Sequence, residues 1–351
     1  MNQVKNTFAL TLLLISIAVI AAACGSGAGD GSGTSTNEQD NGGSEEEVAA
    51  ESQSSDSGEK IVIGFSQIGA ESGWRTAETE SIKESAANDP EIELKFSDAQ
   101  QKQENQIKAL RSFIAQKVDV IALAPVVETG WENVLTEAKN ANIPVILLDR
   151  EIEVDDESLY TSFIGSDFVL EGENAAIHLA ELIGEDEEVN IVQLEGTVGA
   201  SAANDRKKGF EEAIKQYPGY KIIKSQTGDF TRAKGKEVME AFLKSHGENI
   251  DAVYAHNDDM ALGAIQAIEE YGLNPGDDIK IVSIDGIKDA FQAVADGKHN
   301  IIVECNPLLG PQLIQAAKDL RDGKELPKWI KSEEDVFVEQ EAIDALPDRK
   351  Y

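Results

Sequence analysis

The sequence predicts an α/β protein with two similar lobes, each built on a doubly wound parallel sheet. Short runs of nearly continuous Val, Ile and Leu recur along the chain, as in strands that are buried on both faces of a parallel sheet. Segments with apolar residues at helical spacing separate these runs, and strict alternation of strands and helices is typical of doubly wound domains. The series runs through twice, with a break near residues 165–167.

The strands are predicted from the apolar runs, and the helices from spacing such as that of Ile107, Leu110 and Ile114. The predicted strands are Lys60–Phe65, Ile92–Phe96, Val118–Leu123, Pro144–Leu148, Tyr160–Ile164, Val189–Leu194, Lys221–Ser225, Ala252–Ala255, Lys280–Ile284 and Asn300–Val303. The predicted helices are Lys102–Gln116, Trp131–Asn140, Glu171–Ile183, Arg206–Gln216, Ala233–Ser245, Asp259–Tyr271 and Pro311–Arg321. The folded part is therefore residues 60–351, which is long enough for two domains with a core each.

The N-terminus has the features of an export signal. Lys5 precedes an apolar segment from Phe8 to Ile20, and small residues at 21–23 lead into Cys24. This arrangement resembles the lipobox of bacterial lipoproteins, so we expect a signal peptide at residues 1–23 and a lipid on Cys24 that anchors the chain to the outer face of a membrane. The alternative is a transmembrane anchor, but the apolar run is shorter than the ~20 residues that a bilayer requires.

Residues 24–59 are rich in Gly, Ser, Glu and Asp and have almost no large apolar side chains. Such a segment buries too little surface to offset its ordering entropy, so we expect a disordered tether. The net charge of the chain is -34, and so acidic a surface repels the phosphates of nucleic acids. With Cys24 lipidated, Cys305 has no partner for a disulfide within the chain, and we expect it to be a small buried hydrophobe.

Polar and charged residues follow several of the predicted strands. Ligands of doubly wound sheets bind beyond the carboxyl ends of the strands, so these residues are candidates for a binding site. An indole offers a flat surface to the apolar face of a sugar, while guanidinium, carboxylate and amide groups hydrogen-bond its hydroxyls. The candidates are Glu71, Ser72, Gly73, Trp74, Arg75, Asp149, Arg150, Arg206, Asn257 and Asp285. Because they fall on both lobes, they predict a sugar site in a cleft between the lobes.

Each candidate has a structural alternative. Trp74 could be an ordinary core aromatic, Asp149 and Asp285 could cap helices, and Asn257 could be a turn residue. Residues 196–199 form a Gly-rich turn but lack the full dinucleotide fingerprint and a P-loop lysine, and the histidines show no metal-ligand spacing. We therefore expect no cofactor, no metal and no catalytic residues.

A family resemblance rests on several stretches of the folded part, up to about residue 311. These stretches are Gly64–Gln67, Glu71–Arg75, Asp98–Ile107, Ala124–Trp131, Leu147–Arg150, Glu195–Ser201, Asp205–Phe210, Gly228–Glu240 and Tyr254–Met260. In them the chain resembles the type I periplasmic sugar-binding proteins of ABC transporters, in the ribose-binding and lac-repressor-like superfamily. The resemblance is strongest to galactofuranose-binding members. It implies that the candidates up to Arg150 form one half of the site, that Arg206, Asn257 and Asp285 form the other, and that Phe230 is a second ring against the sugar.

The resemblance also implies a three-strand hinge between the lobes, with crossings near Ser166, near Asp285–Ile287 or Cys305, and near Ser332. Ribose-binding members have Gln where this chain has Cys305, so a hydrogen bond from this part of the hinge to the ligand is not expected. The expected lobe boundaries are residues 60–166 plus 306–332 and residues 167–305 plus 333–351.

The resemblance implies a monomeric, lipid-anchored extracellular protein that captures a monosaccharide, galactofuranose or a similar aldose, and delivers it to an ABC permease. Nucleic acid is not an expected partner, and enzymatic activity is not expected. Two alternatives stay open. Asp149 and Asp285 could be the carboxylate pair of a secreted glycosidase, and the sugar-bound protein could instead be the sensing subunit of a chemoreceptor or kinase.

Overall fold

The computed structural model describes residues 59–351. These residues form two α/β lobes, each with a six-stranded sheet, which confirms the predicted fold class. The predicted signal peptide, Cys24 and residues 25–58 of the predicted tether lie outside the described residues. Within residues 59–351, no helix has both the length and the hydropathy of a membrane span.

The chain builds most of the first lobe before it crosses to the second. Its elements are β1 (Ile61–Gln67), α1 (Gly73–Ala87), β2 (Ile92–Asp98), α2 (Gln103–Gln116), β3 (Val120–Leu123), α3 (Glu132–Asn140), β4 (Val145–Leu148) and β5 (Ser162–Gly165). These strands are parallel, in the order β2-β1-β3-β4-β5. Along β4, Ile146 and Leu148 pack in one apolar cluster, while Val145 and Leu147 pack in another. Both faces of the sheet are therefore buried, as in a doubly wound domain.

The second lobe repeats this strand order. Its elements are α4 (Phe168–Ile183), β6 (Val189–Glu195), α5 (Ser201–Ala213), β7 (Tyr220–Thr227), α6 (Arg232–His246), β8 (Ala252–Ala255), α7 (Asp258–Tyr271), β9 (Lys280–Asp285), α8 (Lys288–Ala295) and β10 (Ile301–Glu304). The parallel strands follow the order β7-β6-β8-β9-β10. In such sheets ligands bind at the carboxyl ends of the strands, beside the point where the strand order reverses. That point lies next to β1 in one lobe and β6 in the other.

The C-terminal segment visits both lobes. It contains α9 (Gly310–Arg321), β11 (Trp329–Lys331), β12 (Val336–Val338) and α10 (Gln340–Ala345). Strand β11 extends the first sheet in parallel beside β5, and β12 extends the second sheet antiparallel to β10. The chain thus passes between the lobes at residues 166–167, 305–309 and 332–335, which we call the three lobe connections. The alternative crossing at Asp285–Ile287 is wrong, since these residues form the end of β9 and the turn into α8 within the second lobe.

Every predicted strand appears in the structure, with ends that differ from the prediction by at most two residues. The sequence did not predict β11 and β12, whose three residues each are too few for a clear alternation. It also missed α1, where Ile82 and Ala86 are the only buried aliphatic residues. Helix α5 begins at Ser201, five residues before the predicted start at Arg206.

Candidate functional site

A central cavity lies between the carboxyl ends of the two sheets. Its lining residues are Glu71, Ser72, Trp74, Arg75, Asp149, Arg150, Ala202, Arg206, Phe230, Asn257 and Asp285. The structure therefore brings together nine of the ten predicted site residues, and their role as sugar ligands stays a prediction. The exception is Gly73, which is exposed and does not line the cavity.

The start of α1 places Trp74 and Arg75 at the cavity. Ser72 is the N-cap residue, and its hydroxyl accepts a hydrogen bond from the Arg75 backbone N–H at 3.1 Å. A cap of this type satisfies one of the free N–H groups in the first turn. Trp74 and Arg75 thus belong to the first turn of a helix and not to a loop, which fixes their side-chain directions.

The first lobe contributes a cluster of ion pairs. Arg75 contacts Asp149 and Glu78, each with an N–O distance of 2.5 Å, and lies 3.6 Å from Glu71. Arg150 contacts Glu71 at 2.6 Å. All five side chains are at least nine-tenths buried. We call these five residues the first half-site.

Burial and charge act in opposite directions on the arginines of the first half-site. Burial lowers the pKa of Arg75, but the carboxylates of Asp149, Glu78 and Glu71 outweigh it, so its pKa lies above the ordinary value. Burial lowers the pKa of Arg150, and attraction to Glu71 only partly opposes this. The Nε–H groups of Arg75 and Arg150 are buried and have no hydrogen-bond partner among residues 59–351.

Asp149 and its neighbour Arg150 both enter the cavity because of an unusual backbone turn. Asp149 has a φ of 61°, in the left-handed region, and the Arg150 N–H donates to the Leu148 carbonyl at 2.6 Å. Successive side chains of an extended strand point to opposite faces. The turn after β4 removes this alternation, at the price of the backbone strain that such sites store.

Trp74 is fixed at its edge. Its indole Nε1–H donates to the Cys305 carbonyl at 2.6 Å, so a first-lobe side chain is tied to the second lobe connection. The Arg75 guanidinium lies 4.7 Å from the centroid of the indole ring. The indole is buried, and it packs with the apolar core of the second lobe.

The second lobe places Arg206 at the cavity through close packing of α4 and α5. A Cβ atom on Gly172 would lie 2.2 Å from the Arg206 carbonyl oxygen, so only glycine allows this approach. As a result, Arg206 Nε donates to Glu171 on α4 at 2.7 Å, and its Nη1 donates to the His256 carbonyl at 2.7 Å. Asp285 lies 3.7 Å from the same guanidinium.

Asp285 is held by a turn that Asp258 organises. The Asp258 carboxylate accepts hydrogen bonds from the backbone N–H groups of Gly286 and Ile287 at 2.7 and 2.8 Å. Asp285 itself has a φ of 130°. Burial raises the pKa of Asp285, with Arg206 opposing the effect. Asp285 therefore does not cap a helix.

Asn257 is the N-cap residue of α7. Its Oδ1 accepts from the Met260 N–H at 3.0 Å, and its Nδ2 donates to the Phe230 carbonyl at 3.1 Å. Phe230 has a φ of 60° and lies against Gly196, where a Cβ would clash with the ring. Asn257 thus supports Phe230 in the cavity wall. We call Glu171, Arg206, Asn257 and Asp285 the second half-site.

The lobes contact each other across the cleft. The Gly73 N–H donates to the Asp259 carboxylate at 2.7 Å, and Asn204 donates to Glu128 at 2.5 Å. The Arg150 guanidinium also lies 5.0 Å from the centroid of the Phe230 ring. Each contact joins a first-lobe residue to a second-lobe residue, so the structure is a closed arrangement of the two lobes.

Two buried carboxylates that the sequence analysis missed support the site. Glu78 holds Arg75 in the first half-site, and Glu171 holds Arg206 in the second. Glu78 had a usable signal, because it lies three residues after Arg75 and such pairs are neighbours on a helix. Glu171 had none, since its partner is 35 positions away. Burial raises the pKa of both carboxyl groups.

A family model for the periplasmic binding protein domain matches residues 63–325. The chain belongs to this family. It is 53% identical over 293 residues to the galactofuranose-binding protein YtfQ of Escherichia coli (strain K12), and the match covers 83% of this chain and 92% of that protein. The family resemblance stated from sequence is confirmed.

Two solved structures with bound sugars are similar to this chain. One is the periplasmic binding component of the arabinose ABC transporter from Shewanella sp. ANA-3, bound to α- and β-L-arabinofuranose. Its TM-score is 0.79 at 53% identity, over 82% of this chain and 95% of that one. The other is a Mycobacterium smegmatis protein in complex with β-D-fucofuranose, with a TM-score of 0.80 at 55% identity, over 83% and 95% of the two chains. YtfQ and the Shewanella protein are named for binding and transport and not as enzymes.

Proposed function

We propose that this protein binds a monosaccharide in its furanose form between the two lobes and delivers it to an ABC permease. The observation that carries the proposal is a pair of buried guanidinium donors at the central cavity. The Nε–H groups of Arg75 and Arg150 have no hydrogen-bond partner among the described residues. A buried donor without a partner costs about 1–3 kcal/mol, more when it is charged. Sugar hydroxyls are acceptors that would satisfy both groups.

The aromatic residues suit the apolar side of a sugar ring. The Arg75 guanidinium lies against the Trp74 indole, and Trp74 lines the central cavity. Phe230 lines the same cavity from the second lobe. An indole and a phenyl ring from opposite lobes, with charged groups between them, match a ligand that has apolar faces and a polar rim.

The polar groups are numerous enough for tight binding. Hydrogen bonds to charged groups contribute roughly 1.5–3 kcal/mol each, and a dissociation constant of 1 μM corresponds to about −8.2 kcal/mol. A few such bonds from the two half-sites therefore support micromolar or tighter affinity. Because the half-sites lie on different lobes, a bound sugar favours lobe closure, and the closed form docks on the permease.

The sugars that the relatives are named for, or bind in their structures, narrow the sugar class. Galactofuranose, L-arabinofuranose and D-fucofuranose are five-membered rings, and their parent sugars share one configuration at C2, C3 and C4. They differ at C5, which carries a hydroxymethyl group in galactose, a methyl group in fucose and neither in arabinose. We infer that this protein recognises a furanose of this configuration and tolerates different substituents at the end of the sugar's carbon skeleton.

Mass spectrometry of small molecules released by denaturing the freshly purified protein would identify the sugar. We expect a pentose or hexose, and calorimetric titration with that sugar should then show one site per chain. Ribose serves as the control, because it differs in configuration at ring carbons while having the same number of carbons as arabinose. Equal affinity for ribose and arabinose would contradict the proposed selectivity. Absence of binding to every aldose tested would remove the function itself.

We further propose that the protein is exported and anchored by a lipid on Cys24, through the acidic segment of residues 24–59. The apolar run and the small residues before Cys24 support export and a lipid anchor. Cys24→Ser should release the protein from the membrane fraction of its host without changing sugar affinity. A variant that stays in the membrane fraction would contradict the anchor.

A further inference from the structure

A second cleft, of about 490 Å³, lies beside the lobe connections. Glu171, Ser332 and Glu334 line it, and it shares no lining residue with the central cavity. We call it the hinge cleft. Ser332 and Glu334 belong to the third lobe connection, and Glu171 belongs to α4 of the second lobe.

Three groups that can bind a metal ion come together at this cleft. One carboxylate oxygen each of Glu171 and Glu334 and the Sγ atom of Cys305 all lie within 4.8 Å of one another. Cys305 is on the second lobe connection, and its side chain is buried. Ser166, from the first connection, contacts Cys305 Sγ at 3.4 Å and also donates to Glu334. All three lobe connections therefore meet at this cluster.

An unpartnered oxygen points to a ligand at the cluster. Glu171 is 2% exposed and lines the cleft, and its Oε1 has no hydrogen-bond partner among residues 59–351. Its other oxygen accepts from Arg206. The Ser332 hydroxyl, in the same cleft wall, is also buried and has no hydrogen-bond partner in the described part of the chain. Buried polar groups without partners are rare in proteins, and a bound ion is one of their recognised causes.

The charges of the cluster match a divalent cation. Burial raises the pKa of the Cys305 thiol and of the Glu171 and Glu334 carboxyl groups, so a cation has to displace their protons when it binds. Once deprotonated, the three ligands carry three negative charges, and the adjacent Arg206 guanidinium offsets one of them. A divalent ion neutralises the remainder. The donor set also selects the ion, because Mg²⁺ and Ca²⁺ prefer ligand sets made only of oxygen, whereas Zn²⁺ binds Cys sulfur together with carboxylate oxygen.

We propose that the hinge cleft binds Zn²⁺ or a similar thiophilic divalent cation through Cys305, Glu171 and Glu334, with water from the cleft as the fourth ligand. Zn–S and Zn–O bonds of about 2.3 and 2.1 Å separate tetrahedral ligands by roughly 3.5 Å. No two of the three ligand atoms are more than 4.8 Å apart. To bind zinc, each pair therefore has to approach by no more than about 1.3 Å. The ion links the second and third lobe connections to α4, whose Glu171 side chain also accepts a hydrogen bond from Arg206.

The test is a zinc titration of the full mature chain carrying Cys24→Ser, which removes the other thiol. We expect one equivalent to bind with micromolar or tighter affinity in competition with a chromophoric chelator. Co²⁺ in place of zinc should give the near-ultraviolet charge-transfer band of a thiolate ligand. Adding Cys305→Ser should abolish that band, and Cys305→Ser or Glu334→Gln should each weaken zinc binding at least tenfold.

Glu333→Gln is the matched control, because Glu333 lies in the same connection and lines the same cleft but is not one of the three clustered ligands. It should bind zinc like the parent. Circular dichroism establishes that each variant is folded. No stoichiometric zinc binding, equal losses in Glu333→Gln and Glu334→Gln, or a preference for Ca²⁺ or Mg²⁺ would each overturn the proposal. Sugar binding is not part of the measurement, so failure here leaves the proposed function unaffected.

Discussion

The first half-site is a network of ion pairs between side chains, whereas the second half-site is held largely by backbone groups. In the first, Arg75 contacts Asp149 and Glu78 directly. In the second, Arg206 donates to one carboxylate and one carbonyl. The turn at Asp285 is held by the backbone N–H groups of Gly286 and Ile287, which donate to the Asp258 carboxylate.

The difference separates what each half contributes to folding and to binding. Buried charges depend strongly on their partners, because removing one partner leaves an uncompensated buried charge. The first half-site therefore couples binding residues tightly to the stability of the first lobe. In the second half-site, one partner of Arg206 is a carbonyl, which carries no full charge. We therefore expect a conservative substitution of Arg206 to weaken sugar binding more than it lowers the free energy of unfolding.

Arg75→Ala should have the largest effect, because it leaves the buried Glu78 carboxylate without its cation and removes the shorter of the two ion pairs of Asp149. We expect the free energy of unfolding to fall by about 3–5 kcal/mol, measured by urea denaturation. The control is Arg111→Ala, which breaks an exposed ion pair with Glu137 and should cost no more than about 1 kcal/mol. Equal losses in the two variants would show that the first half-site does not couple binding to folding.

Arg206→Lys should mainly affect the sugar. Lysine keeps the positive charge beside Glu171, but it lacks the planar guanidinium group that donates to Glu171 and to the His256 carbonyl at the same time. We expect sugar affinity to fall at least tenfold, or about 1.4 kcal/mol, in calorimetric titration, with a smaller stability change than Arg75→Ala. Lys207→Ala, on the same helix but outside the cavity lining, should bind as the parent does. If Arg206→Lys also binds normally, Arg206 is not a sugar ligand.

Protonation of histidines in acid should destabilise the second lobe, since all four histidines of the chain follow residue 165. Burial lowers the pKa of His299 from 6.5 to about 3. Below pH 6.5 the unfolded chain therefore binds a proton at His299 that the folded chain does not. Relative to His299→Gln, the parent should lose up to about 1.4 kcal/mol of unfolding free energy per pH unit between about pH 6 and pH 4.

Urea denaturation at several pH values measures this slope for the parent and for His299→Gln. Gln266→Ala is the control, because Gln266 is exposed on α7 and the substitution changes no titratable group, so it should leave the slope unchanged. Parallel slopes for the parent and His299→Gln would mean that His299 takes up its proton in the folded state.

The sequence was sufficient for the fold and for the location of most of the site. Apolar runs that alternate with helical spacing predicted every long strand, because buried parallel strands leave few choices of residue type. Asp149, Arg150 and Asp285 were found because they directly follow strands, and the carboxyl ends of parallel strands meet at one edge. The short strands β11 and β12 gave no comparable pattern.

The partners of these residues could not be read from the sequence. Arg75 and Asp149 are 74 positions apart, and Trp74 reaches the Cys305 carbonyl across 231 positions. Ser72 and Asn257 lie at the cavity, yet their side chains also cap helices, which the pattern of strand ends does not distinguish. Gly73 was placed in the site by its neighbours, but the helical turn directs it away from the cavity.

The sequence by itself determined the alternation of strands and helices and the chemical character of the strand ends, because both depend on residue type and local spacing. Only the tertiary structure decided which charges pair, which donors are left free at the cavity, and that Glu171, Cys305 and Glu334 meet beside the lobe connections. These outcomes depend on distances of a few ångströms between segments far apart in the chain. Such distances are set by the packing of helices and the turns after strands, and no local pattern encodes them.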